Sequence, residues 1–179
     1  LNLACSGRAA GGFRKGKYYL LVGDSDSGKT WLSMSCLAEA SINPNFKDYA
    51  FIYDNAEDGM LVDVEKFFGK EVKRRLQPPA FDKQREPVFS ATVQEFYYRL
   101  RDALEKGPCI YILDSMDALS TEEELSHFDK RKKAHDEETQ TTGSYGTSKA
   151  KANSAGLRIV RPLLKQTGSI LIIVSQTRD

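Results

Sequence analysis

Short apolar runs recur along the chain, each followed by a stretch in which apolar residues are three or four apart. The runs cover residues 17–22, 49–54, 109–113 and 169–174, with a weaker one at 87–90. They are rich in Tyr, Ile, Leu and Val, and several have almost no polar alternation. Strands of that kind are buried on both faces, so the pattern predicts a mostly parallel sheet covered by helices. The intervening stretches predict helices from the residues after 28 to about 41, from about 59 to 76, and from 93 to about 106. Two more are expected, over 121–140 and over 153–166. In the third helix Val93, Phe96, Leu100 and Leu104 share one face, and Thr92 with Glu95 forms a capping box at its start. Thr121 and Glu124 repeat the capping pattern ahead of a segment dense in both charges. Asn43-Pro44-Asn45 and Pro78-Pro79 end helices. Residues 77–86 read as a polar loop, and 141–148, rich in Thr, Ser and Gly, as a mobile one.

The expected architecture is therefore α/β, a three-layer α/β/α sandwich, with residues 1–179 as one unit. A chain of 179 residues, 40% hydrophobic, suffices for one such core. The formal charge of +1 gives no global field for a polyanion, so any such site is local. Three cysteines, Cys5, Cys36 and Cys109, lack metal or redox spacing and point to a reducing compartment, here the cytoplasm. Only His127 and His135 are available for zinc, and no apolar run reaches membrane-spanning length. The chain begins at Leu1 and stops just after an apolar run, as an excised core does.

Chemistry concentrates after the first strand. Gly23-Asp24-Ser25-Asp26-Ser27-Gly28-Lys29-Thr30 has the spacing G-x-x-x-x-G-K-[ST] between a strand and a helix that opens with Trp31. In such a loop successive N–H groups turn inward around a phosphate, and the new helix adds its positive end. Lys29 reaches the β- and γ-phosphates and Thr30 offers its hydroxyl to Mg²⁺. Residues 23–31 are thus expected to bind a nucleotide. Asp24 and Asp26 fit only with their carboxylates turned to solvent.

Turnover needs further groups at the carboxyl ends of the strands, where open parallel sheets bind ligands. Asp114 ends the third long run and is the expected magnesium carboxylate, with Thr30. Glu57, after the second run, can polarise the attacking water. Asp54 and Asp58 compete for that role, and Asp58 equally suits a helix cap. Gln176 follows the last run and can contact a γ-phosphate without a charge. Arg178 suits the surface, or a neighbouring subunit's site.

The order of these parts resembles the RecA-type ATPase core, nearly end to end, as in a divergent and phage-encoded relative. Residues 50–57 are similar to the family's strand bearing the catalytic glutamate, which favours Glu57. Leu113-Asp114-Ser115-Met116-Asp117-Ala118-Leu119 resembles its Walker-B region. Ile173-Val174-Ser175-Gln176-Thr177-Arg178 looks like the strand whose glutamine senses γ-phosphate. The resemblance implies Mg²⁺-dependent ATP hydrolysis, self-association into a filament or ring, no membrane, and single-stranded DNA as partner. It puts the first DNA-binding loop near 143–151, with Tyr145 for stacking and Lys149 and Lys151 for phosphates. A helicase motor of the DnaB type, a KaiC-like regulatory ATPase and a nucleotide-dependent binding module share these features. The chain departs from the family after Glu57. Leu61 and Val64 stand where an acid and a tyrosine would contact adenine, and the insert over 121–140 is long.

Overall fold

In the computed structural model, residues 6–8, 11–58, 62–136 and 147–177 are described. In chain order they form β1 (Lys17–Gly23), α1 (Lys29–Ile42), β2 (Ala50–Asp54), α2 (Val64–Phe68), α3 (Lys70–Arg75), β3 (Ala80–Phe81), β4 (Pro87–Val88), α4 (Val93–Lys106), β5 (Cys109–Leu113), α5 (Glu122–Asp136), α6 (Ser148–Thr167) and β6 (Ile170–Gln176).

Four strands make one sheet in the order β1-β6-β5-β2, and every pair in it is parallel. From β1 the chain crosses to the far edge at β2, then steps back through β5 to β6. Right-handed crossovers taken in opposite directions put their helices on opposite faces. Accordingly α1 covers one face, with α2 and α3 beside it, and α4 and α6 cover the other. β5 shows why the central runs lack polar alternation. Cys109, Tyr111 and Leu113 join the cluster under α4 and α6, while Ile110 and Ile112 join the one under α1. Burial pushes the Cys109 thiol up to about 11, so it packs as a small neutral group.

Both anticipated capping boxes form. Thr92 Oγ1 accepts from Glu95 N at 3.1 Å, and Glu95 Oε2 accepts from Thr92 N at 3.3 Å. Thr121 and Glu124 exchange the equivalent pair at 3.1 and 2.8 Å.

Four expectations need correction. The helix expected over 59–76 is two short ones parted at Gly69, whose φ of 95° a side chain resists. The run at 87–90 stays out of the main sheet; β4 pairs antiparallel with β3 inside the supposed loop 77–86. β1 is covered on one face only: Tyr18, Leu20 and Val22 are exposed on the other. Finally, α6 begins at Ser148 rather than near 153, so Lys149 and Lys151 lie on its first turn and not in a loop. Lysine and alanine favour helix there. Ser148 Oγ also donates to Glu124 Oε1 at 3.3 Å, which ties the start of α6 to α5.

α4 and α6 approach closely at Gly156. A Cβ at that position would lie 2.3 Å from a ring carbon of Tyr97, whose hydroxyl bonds Asn153 Oδ1 at 3.0 Å. In an open helix Gly→Ala gains about 1 kcal/mol, but overpacking costs about 1–3 kcal/mol or more. Gly156→Ala should therefore lower the melting temperature by roughly 3–8 °C in a thermal scan followed by circular dichroism. An unchanged or raised melting temperature would mean that these helices do not meet there.

Candidate functional site

The loop between β1 and α1 has the geometry its glycines allow. Gly28 is left-handed at φ 84°. A Cβ on Gly23 would come within 2.9 Å of Ser27 Oγ, so a side chain there would require that hydroxyl to turn away. Leu32 N reaches Gly28 O at 2.8 Å to start the helix, and no side chain caps that end. The first-turn N–H groups are thus open to an acceptor on the loop side. Lys29 Nζ lies across the loop, donating to Gly23 O at 2.9 Å, to Asp24 O, and to Ser27 Oγ at 3.3 Å. Asp24 and Asp26 are exposed, and Asp26 also lines the cavity that Lys29 and Thr30 line. The Asp24 carboxylate accepts from Thr177 Oγ1, and Thr177 N donates to Gly23 O at 3.2 Å, which joins the loop to the end of β6.

The strand order brings the other groups alongside. Asp114, just past β5 and 4% exposed, accepts at Oδ2 from Thr30 Oγ1 at 2.6 Å and from Tyr53 OH at 2.7 Å. Burial holds the Tyr53 phenol far above its ordinary range, and the Asp114 charge adds to this. Tyr53 therefore acts as a neutral donor that fixes one carboxylate oxygen. Glu57 N donates to Asp114 O at 3.0 Å, and Glu57 Oε1 accepts from Gln176 Nε2 at 2.8 Å. Lys29, Thr30, Trp31, Glu57, Asp114 and Gln176 all line one cavity of about 400 Å³. That is ample for a small ligand.

The competing acids separate cleanly. Asp54 is 3% exposed and points into the interior. It accepts from Ser90 N at 2.9 Å, Ser90 Oγ at 2.5 Å and Tyr111 OH at 2.9 Å. Burial and the Asp54 charge push the Tyr111 phenol well above its usual range. Asp58 occupies a turn at φ 53° and caps no helix; Asp63 does, accepting from Lys66 N at 3.1 Å. Another cavity, of about 370 Å³, runs past Asp54, Arg99 and Pro78 at the outer edge of β2. It takes no lining from the glycine-rich loop, and Asp54 there already accepts three hydrogen bonds.

Asp117 is the residue sequence reasoning passed over. Its Oδ2 accepts from Ser175 Oγ and from Gln176 N, each at 2.7 Å, and so sets the strand end that presents Gln176. Its carbonyl accepts from Lys149 Nζ at 3.2 Å. The available signal was a second acid three residues beyond Asp114, in the short 3-10 turn that follows β5, the strand paired with β6. Lys149 and the exposed Lys151 stand outside the cavity, whereas Tyr145 and Arg178 lie outside the described residues.

Thr30 and Asp114 offer hard oxygens side by side, one neutral and one anionic. This suits Mg²⁺, which takes few protein ligands and completes its shell with water and phosphate oxygens. Among the described residues there is no group of three or more His, Cys, Asp or Glu that could hold a metal ion. No helix there is long and apolar enough to cross a membrane.

The site belongs to an α/β protein with a parallel sheet and a glycine-rich strand-to-helix loop. The sequence matches no protein-family model and no curated protein.

Two expected outcomes follow from the buried polar groups. Asp54→Asn presents an NH₂ to donors that need an acceptor, and should cost about 2–3 kcal/mol in urea denaturation. Unchanged stability with lost turnover would instead make Asp54 a catalytic acid. Tyr53 and Tyr111 stay protonated in the fold while unfolded phenols ionise near pH 10. Their stabilisation is complete below that pH and is lost as pH rises above it, by up to about 1.4 kcal/mol per pH unit per group. Urea midpoints should hold to about pH 9 and fall beyond 10; a flat profile to pH 11 would contradict the neutral-donor roles.

Proposed function

We propose that the chain is the core of a Mg²⁺-dependent ATPase of the RecA type, whose turnover is coupled to single-stranded DNA. The carrying observation is the 2.6 Å contact of Thr30 with Asp114 inside the cavity that also holds Lys29, Glu57 and Gln176. Loop, helix start, metal carboxylate, base and amide then surround one volume, although they come from four separate stretches of chain.

The loop N–H groups and the start of α1 bind the phosphates. Lys29 exchanges its carbonyl partners for β- and γ-phosphate oxygens and spreads its charge over them. Thr30 and Asp114 would hold Mg²⁺, and the chemistry it supplies when bound is charge neutralisation across those phosphates. The Glu57 carboxylate orients the attacking water and takes its proton. Its other role is to hold Gln176, whose amide is shared between Glu57 and any γ-phosphate oxygen within reach.

Asp117 supports the coupling to DNA. It grips the main chain of Gln176 on one side and receives Lys149 from the first turn of α6 on the other. A shift of Gln176 on loss of the γ-phosphate thus passes through one residue to the helix start that carries Lys149 and Lys151. These lysines suit the phosphates of a single strand.

Full-length protein should hydrolyse ATP faster with single-stranded DNA, the stimulation fading steeply as salt rises. Lys29→Ala should abolish nucleotide binding. Glu57→Gln should bind ATP normally and lose about 10²–10⁴-fold in turnover. Wild-type activity in Lys29→Ala would refute the phosphate-loop assignment; full turnover in Glu57→Gln would remove Glu57 as the base. ATPase activity indifferent to DNA would favour a regulatory ATPase.

A further inference from the structure

We infer that Trp31, backed by Phe68 and flanked by Phe67, is the platform on which the base of the nucleotide stacks, and that this site selects nucleoside triphosphates by the flat face of the base rather than by its edges. The inference rests on the phosphate-loop reading above and deepens it to the substrate class.

The cavity has two chemically distinct ends. Lys29, Thr30, Glu57, Asp114 and Gln176 make the polar one. Trp31, Met34, Val62 and Phe68, with Val174, contribute apolar lining, and Ser25, Asp26 and Gly28 come from the glycine-rich loop. If the triphosphate tail faces the acids, the nucleoside must leave along the first turn of α1, where Trp31 directly follows Thr30. There a large aromatic side chain is left 47% exposed, beside a Phe67 that is 50% exposed. Their ring centroids are 5.3 Å apart and steeply inclined, and the buried Phe68 ring sits 4.8 Å from the indole. The indole is thus braced from within the fold and open toward the cavity, as a preorganised stacking surface must be. Among the described residues, the side chains that α2 and α1 beyond Trp31 add to the cavity are apolar, and the remaining polar lining, Ser25 and Asp26, belongs to the glycine-rich loop. A π-face serves every base.

Trp31 is the only tryptophan in the chain, so its fluorescence reports on the platform alone. The experiment titrates full-length protein with Mg²⁺ complexes of ATP, GTP and inorganic tripolyphosphate, following calorimetric affinity and indole emission together. ATP and GTP should both quench the emission and bind within about tenfold of one another, while tripolyphosphate binds without that quench. Trp31→Ala should weaken ATP and GTP by at least about fivefold and leave tripolyphosphate affinity unchanged, and Trp31→Phe should restore most of the loss. Because Trp31 is half exposed, the variants should fold, which circular dichroism verifies. ATP binding by Trp31→Ala within fivefold of wild type, or a preference between ATP and GTP above tenfold, would overturn the inference while sparing the phosphate loop. Failure of tripolyphosphate itself to bind would sink the phosphate-loop reading, and this inference with it.

Discussion

The contact between Thr30 and Asp114 is the constraint on which the rest of the structure turns. The two residues are 84 positions apart, and nothing local holds them together. They meet because β6, last in the chain, inserts between the loop-bearing β1 and the acid-bearing β5, and because all three strands run the same way. A parallel sheet collects its carboxyl ends on one edge. The loop therefore lies against Asp114, Glu57 and Gln176 without any long excursion of chain. One antiparallel strand in that set would carry its polar end to the far side.

That edge concentrates carboxylates, and the fold gives each a different environment. Asp54 is withdrawn beneath the sheet edge and saturated by Ser90 and Tyr111. Asp114 keeps one oxygen fixed by Tyr53 and Thr30. Glu57 stays accessible, its carboxylate held by Gln176 and its main chain by Asp114 O. Asp117 faces the other way and braces the end of β6. The gradation follows from position on the strand. A residue inside β2 must point to one face or the other, whereas one three residues past its end can turn into the crevice. Asp24 completes the set by tying the loop to Thr177, so the end of β6 is joined to the glycine-rich loop and, through Asp117 and Lys149, to the start of α6.

The sequence was most legible where one physical demand outweighed all others. The four long strands and α4 are set by burial and by capping, and both leave strong local patterns. The glycine-rich loop was legible because backbone geometry favours glycine at Gly28, whose φ is 84°. Glu57 was not separable from Asp54 by local chemistry: both are acids at the end of one strand, and the choice depends on Ser90, 36 residues away from Asp54. Gly69 splits a helix whose apolar periodicity runs through it, since periodicity does not register a change of backbone hand. The start of α6 was misplaced because its stabilising contact comes from Glu124 on another helix. Trp31 could be assigned to the nucleotide by its place in the motif, but its partners Phe67 and Phe68 meet it only in three dimensions.

Calorimetric titration of ATP with and without Mg²⁺, in wild type and in Asp114→Asn, tests the Thr30–Asp114 arrangement most directly. If the two residues hold the metal on the triphosphate, Mg²⁺ tightens ATP binding by at least about tenfold in wild type, and Asp114→Asn loses most of that increment while retaining metal-free binding. Equal affinities with and without Mg²⁺, or the same Mg²⁺ increment in both proteins, would contradict it.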